Sequence, residues 1–291
     1  MTTLTAIFSD AATAWWIWPL LLLLACFLMG IVAIPAGIGG GVLYVPLVSA
    51  FFPFHLDFVR GAGLLVALAS ALAAGPSLLR GGMAHLRLSL PLALVASTSS
   101  ILGALASLAL ATLTVQIALG VVILGVAGLM LLGNPDRPAV PQDADALASA
   151  LSLNGIYHDR STGTLLPWRA TRTISGLVLF AGIGFLAGFF GMGAGWANVP
   201  VLNLLMGIPL KVAAGTSSFI LSLVDSTAAW IYLNRGAVLA IIAVPSIVGM
   251  MLGAHIGARL LGVMKPSSVR RLVLVMLFFS GIRSLLKGLE A

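Results

Sequence analysis

The chain has 291 residues, of which 60% are hydrophobic and only 8% are charged. Because a soluble domain carries about 25% charged residues, this composition excludes a water-soluble globular protein. The formal charge of +7 would suit nucleic acid, but no basic face with interleaved aromatic residues accompanies it, so we expect no nucleic-acid partner.

Apolar runs of about 20 residues recur along the chain, as helices that cross a bilayer require. We therefore predict an all-α, polytopic integral membrane protein. In its first half, residues 1–133, interfacial tryptophans mark the start of a helix at about 15–34, and a glycine cluster separates this helix from a short apolar stub. The further elements of this half are the stub at 42–54 and helices near 61–79, 88–110 and 115–133.

Residues 134–172 form the sizeable polar stretch, which we interpret as a cytoplasmic connecting loop. Its first part is typical of a linker. Turn signals between alternating apolar residues from Leu151 to Trp168 predict a small β-hairpin. The second half, residues 173–291, repeats the order of the first with predicted helices at 173–190, 196–206, 212–233, 237–260 and 269–286.

A glycine-rich motif occurs once in each half. Gly37-Ile38-Gly39-Gly40-Gly41, followed by Val45-Pro46, recurs as Gly191-Met192-Gly193-Ala194-Gly195, followed by Val199-Pro200. The offset is 154 positions (191 − 37), and it continues without a gap from Gly30 and Gly184 to Ala104 and Ala258. A duplicated hydrophobic unit that is interrupted at corresponding places is typical of transporters, and it predicts the binding site at the interruptions.

Irregular backbone at membrane depth is tolerated only where it is buried in protein or lines a wet cavity. Helix N-termini beyond a glycine break present unpaired N–H groups and a positive dipole end, which attract anions. We predict that both breaks hold one small anion, with structural roles for Pro46 and Pro200. The predicted substrate-binding residues are Gly37, Gly39, Gly40, Gly41, Gly191, Gly193, Gly195, Asn198, Thr216, Ser217 and Ser218.

Close helix packing is the alternative use of these glycines, and it is the one that we expect for isolated Gly103 and Gly128. Asn198 and Asn203 could likewise tie helices together instead of binding a ligand.

Asp225 is the only acidic residue inside a predicted span, on one helix face with Ser218 and Ser222. An intramembrane carboxylate is a functional hypothesis by default, so Asp225 is our candidate for ion coupling through H+ or Na+. A neutral aspartate that ties helices together is the alternative. Its counterpart in the first half is Ala71, so any such site belongs to the second half.

The distribution of basic residues predicts the orientation. If each half makes an odd number of crossings, the two repeats are inverted, each with a glycine-broken helix hairpin and three full transmembrane helices. With the N-terminus outside, all but four of the 15 basic residues then lie inside, which fits the positive-inside rule. The four outside are Arg60, Arg235, Arg283 and Lys287. The rival, parallel arrangement divides the basic residues more evenly.

Signatures of enzymes are missing from the sequence: HExxH, paired CxxC, a nucleophile elbow and paired carboxylates in one span. We therefore expect no enzyme, no catalytic residue, no metal and no cofactor. The single cysteine, Cys26, allows no intramolecular disulfide.

The doubled motif resembles the TauE/SafE sulfite exporter family. The similar segments are Gly37–Leu47, Gly191–Val201, Met206–Ser217 and the turn at Leu153–Tyr157. The resemblance covers about residues 20–285 and implies a multi-pass transporter of sulfur-containing anions, such as sulfite or sulfonates, in the cytoplasmic membrane. Ala194 stands where the second motif usually has a glycine, and Trp196 follows it. This departure weakens the inference that sulfite in particular is the substrate.

We accordingly predict a secondary transporter of small anions that works by alternating access around the two glycine breaks. An anion channel that uses the same breaks as its filter is one alternative. A membrane sensor or binding subunit that moves no solute is another.

Overall fold

The computed structural model describes residues 16–36, 39–80, 84–132, 145–159, 164–193, 195–260 and 266–289. The chain is mostly helical. Its α-helices are α1 (Ile17–Ala36), α2 (Gly40–Phe51), α3 (Leu56–Arg80), α4 (Leu86–Ala109), α5 (Thr112–Leu132), α6 (Ala146–Ala150), α7 (Thr173–Phe190), α8 (Gly195–Pro200), α9 (Leu210–Asn234), α10 (Ala240–Leu260) and α11 (Pro266–Leu289). A π-helical segment, Val201–Leu205, follows α8, and two strands, β1 (Asn154–Asp159) and β2 (Thr164–Arg169), lie between α6 and α7.

The predicted helices are present, with two differences that matter. Helix α3 begins at Leu56 and not near residue 61, so Asp57 and Arg60 lie inside it. The expectation that Arg60 occupies a connection outside the membrane helices was therefore wrong. The polar stretch predicted as a linker also contains a short helix, α6.

Five helices among the described residues are long and apolar enough to cross a membrane: Leu56–Pro76, Leu86–Ala109, Thr173–Phe190, Val212–Asn234 and Ala240–Gly257. Shorter apolar stretches lie in α1, α2, α5 and α11. Large apolar side chains face outward, for example Leu94 and Ile174, which are 69% and 67% exposed. This outward apolar surface suits contact with lipid tails.

The helices of the two halves are interleaved. Helix α1 packs along α10, α7 along α4, and α5 along α11, while α3 and α9 pack against each other. Glycine permits the close approaches: a Cβ built on Gly103 of α4 would overlap the carbonyl oxygen of Phe185 on α7. This agrees with the packing role expected for Gly103. A Cβ on Gly128 would meet no described atom within 4 Å, so packing among the described residues does not explain that glycine.

Asp145 fastens the connecting segment to α7. Its carboxylate accepts hydrogen bonds from the N–H of Ala148, at 2.6 Å, and of Thr173, at 2.5 Å, and from the Thr173 hydroxyl, at 3.0 Å. Burial alone would raise the pKa of Asp145, but these hydrogen bonds favour the ionised form and bring the pKa below its ordinary value. One side chain thus caps α6 and the start of α7.

The predicted β-hairpin is confirmed, and it packs on the helices. Strands β1 and β2 pair antiparallel from Asn154 opposite Arg169 to Asp159 opposite Thr164. Tyr157 and Trp168 are buried in one cluster with residues of α4 and α9. The hairpin therefore covers one end of the helical bundle.

His85 lies where this hairpin meets the helices. Its ring packs edge-on against Trp168, with centroids 4.9 Å apart, and its backbone N–H donates to the Thr216 hydroxyl of α9. Burial, and after it the nearby charge of Arg87, lowers the pKa of His85. The His85 ring is consequently neutral at neutral pH.

Candidate functional site

Both glycine motifs lie where one helix ends and the next begins. Helix α1 ends at Ala36 and α2 begins at Gly40, and Gly39 before it has φ 78°. Helix α7 ends at Phe190 and α8 begins at Gly195, with φ 68° at Gly191 and 72° at Gly193. Positive φ costs glycine little because it has no Cβ. We call Gly39–Gly41 the first interruption and Gly191–Gly193 the second interruption.

The two interruptions contact each other. A Cβ built on Gly41 would overlap the carbonyl oxygen of Met192. The side chain of Ala67, on α3, lies against both interruptions, since a Cβ on Gly193 would be 3.2 Å from it and one on Gly41 would be 2.8 Å from it. A side chain larger than a hydrogen atom has no room at position 41, which explains the glycine there, and the positive φ of 72° explains the glycine at 193.

One face of helix α9 also lies against the two interruptions. A Cβ on Gly39 would lie 3.7 Å from Cδ1 of Leu221. Asp225 follows one turn later, and a Cβ on Gly193 would lie 3.2 Å from its Oδ2 and 3.5 Å from its Oδ1. Leu221 and Asp225 thus present one helix face to both interruptions.

Two side chains of the second half are buried without a protein partner. Asp225 and Asn198 are both 0% exposed. Within the described part of the chain, no group hydrogen-bonds to either carboxylate oxygen of Asp225 or to the amide oxygen or nitrogen of Asn198. A buried polar group without a partner costs about 1–3 kcal/mol, so these atoms are available to a ligand, a proton or water.

Other predicted site residues already have protein partners. The N–H of Gly40 donates to the Ser70 hydroxyl at 3.2 Å, and Ser218 donates to the carbonyl of Ala214. Thr216 accepts from His85, as described above. Asn203, one of the two asparagines considered as possible ligands, donates to the carbonyl of Ile208 and fixes the end of the π-helical segment.

The remaining predicted residues have varied positions. Gly195 and Ser217 are buried, Pro46 is buried inside α2, and Pro200 is exposed at the end of α8, directly before the π-helical segment. Gly37 lies outside the described residues. The roles assigned to all of these residues remain predictions.

Arg60 is the residue near the site that the sequence analysis missed. It is 1% exposed. Its guanidinium pairs with Asp57, donates to the Ser107 hydroxyl, and donates to the carbonyl of Phe189 at 3.3 Å. A sequence signal existed, since Asp57 and Arg60 are three residues apart and therefore adjacent on a helix.

These contacts provide hydrogen bonds for the backbone carbonyls at the end of α7. The last carbonyls of a helix have no partner within the helix, and lipid offers none. The carbonyl of Phe189 accepts a hydrogen bond from the Ser107 hydroxyl at 2.5 Å in addition to the one from Arg60. The carbonyl of Gly188 accepts one from the Tyr232 hydroxyl at 3.1 Å. Side chains from α3, α4 and α9 thus hold α7 directly before the second interruption.

The second interruption consequently lies between a buried cation and a buried carboxyl group. A Cβ on Gly191 would be 2.7 Å from Cα of Arg60, whereas Gly193 faces Asp225. The positions offset by 154 residues are Ala214 and Ala71, which carry no charge. The charged groups therefore distinguish the second interruption from the first.

Comparison with known proteins decides the family. The model of the family described as sulfite exporter TauE/SafE matches residues 22–284. The chain belongs to the TauE/SafE family. It is also 30% identical over 114 residues to a Bacillus subtilis (strain 168) protein named "Probable membrane transporter protein YunE". That match covers 39% of this chain and 42% of the relative. No solved structure matches the chain.

Membership of the TauE/SafE family and the five apolar helices make this a multi-pass membrane protein. The family match includes both interruptions, Arg60 and Asp225. The duplicated motif from which the resemblance was inferred is therefore part of the matched region.

We predict that Arg60→Met destabilises this TauE/SafE protein by about 3 kcal/mol, because it leaves Asp57 without its partner and Phe189 with fewer donors. Tyr232→Phe removes one hydrogen bond and should cost about 1 kcal/mol. The midpoint of thermal unfolding in detergent measures both. Arg235→Met, at an exposed cation after α9, is the control and should change the midpoint little. Equal midpoints for Arg60→Met and Arg235→Met would contradict a structural role for Arg60.

Proposed function

We propose that this protein is a secondary transporter of small anions in the cytoplasmic membrane, with sulfur-containing anions such as sulfite or sulfonates as the substrate class. The contact between the two interruptions carries this proposal. Two pieces of glycine backbone meet inside the bundle, and the helices that follow them begin there. Backbone N–H groups at such starts attract negative charge. The family description and the name of the relative support transport as the activity.

In this proposal the two halves are inverted repeats. If a two-fold axis relates the halves, a contact between residue i of the first half and residue j of the second must recur between residues i + 154 and j − 154. Gly30 lies against Met250 and Gly184 against Ala96, in both cases at a carbonyl oxygen. Two further pairs support the relation in the same way: Gly103 with Phe185 and Gly257 with Ile31, and Gly39 with Leu221 and Gly193 with Ala67.

The directions of α3 and α9 support inversion over a parallel arrangement. These helices occupy equivalent positions in the two halves. Arg60, near the start of α3, lies over the ring of Tyr232, near the end of α9, at 5.9 Å from its centroid. Gly61 of α3 likewise contacts Ala237, just beyond α9. Equivalent helices that run antiparallel belong to inverted repeats, and alternating access then moves one repeat against the other around the interruptions.

Bulky side chains at the interruptions test the site. Gly39→Val and Gly193→Val force a β-branched residue into positive φ, at about 1–2 kcal/mol of strain, and fill the space where the anion would bind. We expect each to reduce flux to about one-tenth or less. The measurement is flux of sulfite, thiosulfate, sulfonates, sulfate and nitrate in proteoliposomes that contain the purified protein.

Gly236→Val is the matched control for this experiment. Gly236 also has positive φ, 68°, but a Cβ there would meet nothing within 4 Å. The variant also places a β-branched residue at positive φ, but away from the interruptions, and it should retain flux. Wild-type flux in Gly193→Val would refute a site at the interruptions. Voltage-driven flux without accumulation by the wild-type protein would indicate a channel, and no flux of any anion would indicate a binding subunit.

In the inverted arrangement, the positive-inside rule favours a cytoplasmic position for the connecting segment, residues 134–172. Ser149 is exposed on α6, and the only native cysteine, Cys26, is buried. A Ser149→Cys variant therefore offers one reactive thiol. A membrane-impermeant maleimide should label it in inside-out vesicles and leave it unlabelled in intact cells. Labelling in intact cells would reverse the orientation.

A further inference from the structure

The surroundings of Asp225 favour its neutral, protonated form over the ionised form. Both carboxylate oxygens face the backbone at Gly193, and neither has a hydrogen-bond partner among the described residues. The side chain is 0% exposed, in the middle of an apolar helix that is long enough to cross the membrane. An ionised carboxylate in such surroundings lacks both water and a counter-charge, and it is far more costly than the neutral acid.

The described side chains of the neighbouring helices offer no compensating charge to Asp225. Helix α9 packs against α3, α4, α7, α8 and the π-helical segment. The charged or titratable residues on all of these elements are Asp57, Arg60, Arg80, Arg87, Lys211 and Tyr232. Arg60 is paired with Asp57, and Tyr232 donates to Gly188. Arg87 is exposed, and Arg80 and Lys211 stand at the ends of their helices.

The same carboxyl group borders the place where the proposed function puts the anion. Two unit negative charges about 4 Å apart repel each other enough to weaken binding by roughly a thousandfold at the effective dielectric of a protein. A protonated carboxyl group has the opposite effect, because its O–H can donate a hydrogen bond to an oxyanion. Binding of the proton and binding of the anion are therefore mutually favourable.

We propose that the anion binds at the second interruption only when Asp225 is protonated, so that one proton and one anion are carried together. This inference rests on the proposed anion site. The proton binds to Asp225 from the side at which the anion enters, and both leave on the other side, after which the carboxyl group is protonated again. For a monovalent anion each cycle moves no net charge, and the proton gradient sets the direction of net transport.

Anion affinity at different pH values tests this coupling. The probes are sulfate, nitrate and methanesulfonate, which keep a constant charge from mildly acidic to mildly alkaline pH. For the wild-type protein in detergent, the Kd of at least one probe should rise by up to about tenfold per pH unit above the titration of Asp225. Asp225→Asn, which is neutral at every pH, should bind that probe with a Kd that does not change with pH.

Two variants separate coupling from damage to the fold. Ser226→Ala changes the next residue, which is exposed on the other side of α9, and it should keep the wild-type pH dependence. Asp225→Glu retains a titratable group and should keep a pH-dependent Kd. In proteoliposomes, an acidic exterior should drive accumulation of the anion by the wild-type protein. Asp225→Asn should exchange anions across the membrane without this accumulation.

Each outcome points to a different conclusion. A wild-type Kd that does not vary with pH, the same pH dependence in Asp225→Asn, or accumulation that requires Na+ instead of acid would overturn the proton coupling while leaving the anion site intact. No binding of any probe at any pH by the wild-type protein would refute the anion site itself, and the coupling with it.

Discussion

Unpaired backbone in a bilayer is the constraint on which this structure depends. Wherever a membrane helix is interrupted, N–H and C=O groups lose their helical partners, and lipid cannot replace them. This chain interrupts two helical segments and brings the interruptions together, with Gly41 against the carbonyl of Met192. Helices α3 and α9 enclose them, and Ser70 of α3 receives the N–H of Gly40. Protein thus surrounds the irregular backbone on several sides.

The two interruptions are built alike but are charged differently. The carbonyls at the end of α7 accept hydrogen bonds from Arg60, Ser107 and Tyr232, whereas Asp225 faces Gly193 with no hydrogen-bond partner in the described part of the chain. A buried cation with several hydrogen bonds is well suited to fix a backbone. A buried carboxyl group without such bonds is suited to change its protonation. On this account Arg60 is a positioning residue, and Asp225 couples the anion to the proton.

Much of the fold could be predicted from the sequence because membrane helices are long apolar runs. Helix α7 begins and ends where the sequence predicts, and the turn signals around residues 154–163 indicated the hairpin. The glycine motifs were recognisable because they occur twice. The partners of these motifs were not, since the contact between Gly41 and Met192 joins residues that are distant in the chain.

The wrong placement of Arg60 also has a physical cause. Arg60 was assigned to a connection because the predicted span began near residue 61, yet α3 begins at Leu56 and buries the charge against Asp57. The ligand role of Thr216 remains a prediction, and its hydroxyl accepts the N–H of His85. Sequence patterns identify a polar group inside a span, but only the packing reveals whether another part of the protein already uses it.

The most direct measurement of the central claim is the position of a bound anion. Crystals of the protein soaked in selenate, a heavier analogue of sulfate, would reveal it through anomalous diffraction at the selenium edge. Our account predicts a peak between Gly39–Gly41 and Gly191–Gly193, within hydrogen-bond distance of backbone N–H groups. Selenate bound only at the periphery of the protein would contradict this account, with the two interruptions either filled by side chains or lying apart from each other.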